Sequence, residues 1–364
     1  MKNTFGNNIT LTIFGESHGK MIGATLDGIA SGIKIDYELL ERRLNERKPY
    51  GKISTARKEA DEPMIVSGVM NGVTTGTPIT ILIENTNIKS ADYTLVKNCP
   101  RPSHADYTAS VKYGDFRDYR GGGHFSGRLT AAIVAAGAII EGALIQKGIF
   151  IGTHIKNLNG ISDIDFISYA DDIKMLSSKL FPVLSDEIAD KMIARIESAA
   201  NDKDSLGGIL ETAVIGVPAG IGEPWFDTLE GMLAHAIFSI PAIKGVEFGS
   251  GFGFANVKGS EANDQFCTDG EKIFTKTNNN GGINGGISNG MPIIFRSAIK
   301  PTPSIFKSQD TVNMSTMENT TLLIEGRHDP AIIHRAKPVV DAITAIVLAD
   351  ILVTKYGTDW LRTI

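Results

Sequence analysis

Three stretches from the first half of the chain recur, in the same order, in the second half, and no other feature restricts the possible folds so strongly. DGIASGIKIDYELLERRL, from Asp27, resembles GVPAGIGEPWFDTLEGML, from Gly216, each a glycine turn leading into an amphipathic helix pattern. GVTTGTPITILI, from Gly72, matches GISNGMPIIFRS, from Gly286, each a glycine turn, a proline and an apolar strand-like run. GGGHFSGRLTAAIVAAGAII and GRHDPAIIHRAKPVVDAITAIVLADIL both pass from a Gly/His/Arg loop into a long, mostly apolar helix. One match would be chance; three in register suggest duplication. The expectation is an α/β (α+β) chain whose residues 1–364 form a single domain of two similar halves, about 1–150 and 205–364, with long buried helices packed on strands around one core. Between the halves, about 163–204 is charged and helix-forming, with a 3.6 period in IADKMIARIESAA, and is expected to be a surface excursion.

The remaining sequence-wide properties narrow the functional classes. At 364 residues, 42% hydrophobic and 21% charged, with 39 glycines, the chain reads as a soluble globular protein rich in tight loops. Cys99 and Cys267 offer neither a disulfide framework nor CxxC spacing for zinc, which fits a reducing cytoplasm. The apolar run Ala131–Ile140 falls short of a membrane span and is followed by Glu141, so no membrane role is expected. A net charge of −5 argues against a general nucleic-acid binder, because such proteins need a basic surface to displace counterions. Neither GxGxxG after a strand nor GxxxxGK[ST] is present. TNNNGGINGGISNG, residues 277–290, matches the turn at Gly72, which argues for an ordered loop whose backbone N–H groups can approach a flat or phosphorylated ligand.

Chemistry is expected where strands run out. Ile9, Leu11 and Ile13 alternate with Thr10 and Thr12, which places Ser17 and His18 of FGESHG on a turn. GESHG also fits G-x-S-x-G, the nucleophile elbow of α/β-hydrolases, which would make Ser17 a nucleophile. The order is wrong for that fold, since only one strand precedes the motif and KMIGATLDGI after it reads as a strand, not a helix. In RPSHADYT, Ser103 or Asp106 could simply cap a helix and leave His104 an ordinary loop residue. Yet His18, His104, His124 and His328, out of seven histidines, all fall in loops dense in Gly, Ser, Arg or Asp. Two such imidazoles at one pocket can protonate a leaving group or hold a proton beside a bound anion. With no HxxxH pair, a metal site is not expected. Arg42, Arg43, Arg47, Lys48, Lys52, Arg101, Arg117, Arg120, Arg128, Lys300, Arg327, Arg335 and Lys337 cluster around the same loops and suit a small multiply charged ligand. The helix beginning near Ser126 adds its N-terminal dipole to GGGHFSG. A non-catalytic binder of an anionic metabolite remains an alternative to an enzyme.

FGESHG, RPSHAD, DYRGGG, KGVEFG, GGISNG, KPTPS and GRHDP, in this order over nearly the whole chain, resemble the chorismate synthase family. The resemblance implies a layered β-α-β sandwich with an internal pseudo-repeat, assembled as a homotetramer. It implies a carbon–oxygen lyase of the shikimate pathway that eliminates phosphate 1,4-anti from 5-enolpyruvylshikimate 3-phosphate to give chorismate. Reduced FMN (FMNH2) is needed but not consumed, with NADPH as its direct or indirect reductant. Carried over position by position, His18 sits by the pyrimidine end of the flavin, and His104 donates a proton to the departing phosphate. Asp329 lies near flavin N5 and helps move the substrate proton, while Ser17 and Ser126 support these groups. FMN contacts fall on His124, Phe125, Ser126, Pro241, Ala242, Gly285, Lys300, Pro301, Thr302, Pro303, Ser304 and Arg327. Basic substrate or NADP positions fall on Arg47 and Lys52, and Arg128 and Arg335 hold substrate anions.

The sequence departs from the commoner family pattern at several of these positions. GGGHFSGRL stands where many members read GGGRSSARE, so an arginine and a serine become His124 and Phe125, and a glutamate becomes Leu129. Pro241 replaces the usual asparagine before Ala242, and RRRPG is weakened to ERKPYG with Lys52. No added segment would supply a flavin-reducing activity, so reduction by an external flavin reductase is expected.

Overall fold

Alternation decides which face of each strand is buried. In Ile79–Glu84, Ile79, Ile81 and Ile83 point inward, and in Ile293–Ile299, Ile293, Phe295, Ser297 and Ile299 do the same. A computed structural model describes residues 2–54, 60–86, 95–324 and 328–364. The first sheet contains β1 (Thr4–Phe5), β2 (Thr10–Gly15), β3 (Met21–Asp27), β4 (Pro63–Ile65) and β5 (Ile79–Glu84), in the order β1-β2-β3-β5-β4. The second contains β6 (Phe150–Leu158), β7 (Ile161–Ser162), β8 (Gly208–Ile215), β9 (Ile243–Phe248) and β10 (Ile293–Ile299), in the order β7-β6-β8-β10-β9. Every pairing in both sheets is antiparallel. Four positions correspond between the sheets: β2 with β6, β3 with β8, β5 with β10, and β4 with β9.

The helices follow the same repeat. α1 (Tyr37–Arg47) and α6 (Leu229–Ile237) arise from the first pair of matching stretches, α3 (Thr130–Gln146) and α7 (Ile333–Tyr356) from the third. Helix α3 packs on the first sheet, α7 on the second, and the two helices on each other, giving a layered α/β sandwich. Their crossing is tight, because a Cβ on Gly137 would stand 2.4 Å from the Cβ of Ala342. Residues Gly127–Gln146 are long and apolar enough to cross a membrane by length and composition, a longer stretch than the run Ala131–Ile140 suggests. In this fold 83% of that window is buried in the core. Asp350 ties α7 to the start of β2 by accepting the backbone N–H groups of Asn7, Asn8 and Ile9 at 2.9, 2.6 and 2.9 Å.

The charged segment at 163–204 lies between β6 and β8. Its helices α4 (Tyr169–Leu176) and α5 (Asp186–Asn201) bury Ile173, Leu176, Met192 and Ile196, so it is a covering layer and not a projection. A latch holds it: buried His154 on β6 meets Asp163 at 2.9 Å and Glu211 on β8 at 3.2 Å. Burial alone would lower the His154 pKa, but the two carboxylates outweigh it and raise the value.

Candidate active site

The turn FGESHG joins two antiparallel strands, β2 and β3, and a short run of glycines is laid across it. Ser17 and His18 are buried at its tip, and the Ser17 N–H donates to the Gly123 carbonyl at 3.1 Å. A hairpin tip is not the strand-to-helix elbow a hydrolase requires, which removes the nucleophile reading of Ser17. Gly121, Gly122 and Gly123 all have positive φ, at 58°, 85° and 54°. A Cβ on Gly121 would fall 2.3 Å from His18 Cε1 and 2.8 Å from Ser17 Oγ; one on Gly122 would fall 3.4 Å from His104 Cε1. Two imidazoles 86 positions apart in sequence thus flank neighbouring residues of one bare backbone turn.

His104 sits just before α2 (Asp106–Tyr113), in a loop where Ser103 has a φ of 58°. Asp106 is the first residue of that helix but does not cap it. Its carboxylate turns back to accept from His104 Nδ1 at 2.7 Å, Arg101 Nη2 at 2.9 Å, Arg101 Nε at 2.7 Å and the Arg101 N–H at 3.0 Å. Burial would raise its pKa, but these bonds overcome that and hold the carboxyl well below the usual carboxylate range. Arg101 Nη1 continues to Ser304 Oγ at 3.3 Å, and Lys300 Nζ donates to the Ser103 carbonyl. The loop 300–304 is therefore fastened to the His104 loop, and through the Lys300 N–H and Ala242 carbonyl, 3.0 Å apart, to the segment Pro241–Ala242.

The remaining basic residues form a second chain of contacts. Burial first, then the Arg101 charge, pushes His328 below its ordinary pKa, with Asp329 opposing. Arg335 Nη1 pairs with Asp329 Oδ2 at 2.7 Å, and its Nε donates to the Arg47 carbonyl at 2.8 Å. Buried Asp61, with a φ of 47°, bridges Arg47 Nη2 at 3.3 Å and Arg128 Nη1. Arg128 Nε donates to Asn85 Oδ1 at 3.0 Å, and Asn85 Nδ2 donates to the Glu16 and Gly19 carbonyls of the hairpin turn at 3.0 and 2.9 Å. Ser126 Oγ accepts the Arg128 N–H at 3.3 Å and caps the turn that opens into α3. Ser17, His18 and His104 thus gather at the glycine turn with Arg101, Ser304 and Lys300, while Asp329, Arg335, Arg47 and Arg128 form a second chain of contacts that reaches the same hairpin turn through Asn85.

Other candidates stand elsewhere. Gly285 lies by Gly286, whose carbonyl accepts the Leu229 N–H at 2.9 Å, so it is at the opposite end of α6 from Ala242. That helix spans about 13 Å. Lys52 is exposed on the turn Gly51–Ile53, and Arg327 lies outside the described residues. Arg43 and Lys337, counted among the basic cluster, do not face a ligand. Arg43 pairs with Glu46, Glu141 and Asp341, and Lys337 with Glu46 and Asp341, because buried charges persist only when paired. Asp61 and Asp106 escaped the sequence reading as site residues. For Asp106 the available signal was Arg101 and His104 within five residues of it; Asp61 had no such signal, because its partner Arg128 is 67 positions away.

Two of the departures from the family pattern have local partners. His124 Nδ1 is bonded to the Gly15 carbonyl at 2.8 Å, and the Phe125 ring lies 6.1 Å from that of Tyr113. Both residues, with His104, Gly122, Phe14, Tyr113 and Tyr119, line a cavity of about 360 Å³. Near these contacts, the buried Ser17 Oγ, Thr302 Oγ1 and His328 Nε2 have no hydrogen-bond partner among the described residues. Such atoms cost free energy unless a ligand completes them, and a planar ring with polar edges and a phosphate tail fits that donor set.

The sequence pattern of the chorismate synthase family matches residues 9–353. A chorismate synthase of Thermococcus kodakarensis is 44% identical over 351 residues, covering 96% of this chain and 97% of that one. That of Lachnoclostridium phytofermentans is 49% identical over 365 residues, covering 99% and 98%. A crystal structure of chorismate synthase superposes with a TM-score of 0.76 at 30% identity, covering 98% of this chain and 94% of that one. With FGESHG, DYRGGG and RPSHAD meeting at one glycine turn, and relatives matching over nearly the whole length, the chain belongs to the chorismate synthase family.

Proposed function

We propose that the protein converts 5-enolpyruvylshikimate 3-phosphate to chorismate and phosphate, with reduced FMN seated against the histidine ring. The observation that carries this reading is the placement of His18 and His104 on neighbouring glycines of one turn, inside a ring of arginines. The residues that would hold the flavin are His124 to Ser126, Pro241, Ala242 and Lys300 to Ser304, with Thr302 Oγ1 offering an unsatisfied polar atom at its edge. When bound, the electron-rich reduced flavin lends charge to the substrate as the C–O bond to phosphate breaks, with no net oxidation.

The protein's own groups do the rest. His104 donates its Nε2 proton to the departing phosphate, and Arg101 beside it balances the developing charge. His18, packed with Ser17 under Gly121, holds a proton at the other side of the turn. Asp329, oriented by Arg335, takes part in removing the hydrogen lost from C6. The hydrogen and the phosphate leave, a double bond forms, and the elimination balances without an oxidant.

The wider assignment is a cytoplasmic homotetramer whose flavin is reduced by a separate reductase, with Lys52 and Arg47 as basic positions for substrate or NADPH. The test is phosphate and chorismate formation from the substrate under anaerobic reducing conditions with FMN. His104→Ala and His18→Ala should each lower turnover by about 10²–10⁴ while FMN still binds. Wild-type-like turnover in either variant would remove its role. Aerobic turnover driven by NADPH alone would overturn the separate reductase.

A further inference from the structure

We propose that Asp106 is a positioning residue for the elimination: its carboxylate takes the Nδ1 hydrogen of His104 and thereby turns Nε2 toward the space beside Gly122, where the leaving phosphate must be protonated. The geometry supplies each step. Asp106 Oδ1 is 2.7 Å from His104 Nδ1, and the only other side chain on that nitrogen among the described residues, Arg101 Nη2 at 3.1 Å, is itself a donor. Two donors cannot bond each other, so the hydrogen of Nδ1 goes to the carboxylate and the arginine reaches the same oxygen at 2.9 Å. Asp106 is 3% exposed and accepts four hydrogen bonds, two of them on each oxygen. A carboxylate so surrounded stays ionised, and an ionised carboxylate only accepts.

The opposite edge of the ring faces the glycine turn, since a Cβ on Gly122 would lie 3.5 Å from His104 Nε2. His104 and Gly122 both line the cavity of about 360 Å³. A helix-capping duty, the bland alternative for this residue, is excluded by the absence of any side-chain cap at the start of α2. The same carboxylate also lets Arg101, needed beside a phosphate, stand next to an imidazolium without driving it away.

The proposal rests on the elimination reading, so its test has an arm that does not need turnover. Nitrogen-15 spectra of the ring of His104 in the full-length protein should show the neutral imidazole protonated on Nδ1, and Asp106→Asn should shift that hydrogen to Nε2 or mix the two tautomers. A dominant Nε2–H tautomer in the wild-type protein would overturn the proposal without any variant having to fold. In the anaerobic phosphate-release assay, Asp106→Asn should lower kcat by a factor on the order of 10²–10⁴, by analogy with a misoriented catalytic histidine, while KM and FMN affinity stay within about threefold. Asp106→Glu should recover part of the loss. Equal losses in both variants, or a loss confined to KM, would assign Asp106 to loop stability alone. Absence of phosphate release from the wild type would refute the elimination reading, and the tautomer would still decide the role of Asp106.

Discussion

Gly121→Ala and Gly122→Ala form a pair of substitutions whose difference measures how closely the glycine turn sets the histidines. Each places an L-residue at positive φ, 58° and 85°, which costs about 1–2 kcal/mol. The contacts differ. At Gly121 the new Cβ would lie 2.3 Å from His18 Cε1, 2.4 Å from His18 Nδ1 and 2.8 Å from Ser17 Oγ. Carbon contacts settle near 3.5–4.0 Å, so the ring must retreat by about 1 Å. At Gly122 the new Cβ would lie 3.4 Å from His104 Cε1, which asks for a few tenths of an ångström at most. A displacement of about 1 Å in a catalytic constellation costs about 10²-fold in rate. We expect both variants to lose about 1–2 kcal/mol of stability, but Gly121→Ala to lose about 10²-fold in turnover and Gly122→Ala less than about tenfold. Chemical denaturation and anaerobic phosphate release with reduced FMN read the two quantities separately. Equal turnover in the two variants, or a folded Gly121→Ala protein with wild-type kcat, would refute the reasoning.

Three further outcomes follow from the packing. Gly137→Ala should lower the denaturation midpoint, because overpacking the α3–α7 crossing costs about 1–3 kcal/mol against up to about 1 kcal/mol gained in helix propensity; a raised midpoint would show that the crossing can open freely. Burial, aided by the Arg335 charge, holds His334 down to about 3, so the unfolded chain binds a proton below about pH 6.5 that the folded protein refuses. Stability should therefore fall by about 1.4 kcal/mol per pH unit from this group between pH 6.5 and 3, and His334→Gln should flatten that limb of an acid-denaturation curve; parallel limbs would contradict the assignment. Asp350→Ala strands the N–H groups of Asn7, Asn8 and Ile9 and should cost about 3 kcal/mol or more in urea unfolding, whereas a loss under about 1 kcal/mol would mean that water replaces the carboxylate.

The strand pair was legible because an apolar run follows a glycine turn and a proline in both stretches: TPITILI and MPIIFRS become β5 and β10, at matching places in their sheets. The turn that carries Ser17 and His18 was legible for the same reason, since Ile9 to Ile13 alternate and KMIGATLD resumes the pattern as β3. Side-chain pairing was less visible. Asp61 meets Arg128 across 67 positions, and nothing near Asp61 in the chain announces that partner. Asp106 stood in the right place for a helix cap, and only the folded loop shows that Arg101 and His104 compete for it successfully. Basic residues could be counted but not sorted, because the carboxylates that bury Arg43 and Lys337 sit on α1, α3 and α7, elements that meet only in the folded core.

The most direct test is a crystal structure of the protein with FMN and 5-enolpyruvylshikimate 3-phosphate bound together. The account predicts the flavin ring beside His18 and Asp329, and the substrate phosphate within hydrogen-bond reach of His104 Nε2 and Arg101. Density for either ligand in a separate cavity, or a phosphate facing away from His104, would contradict it.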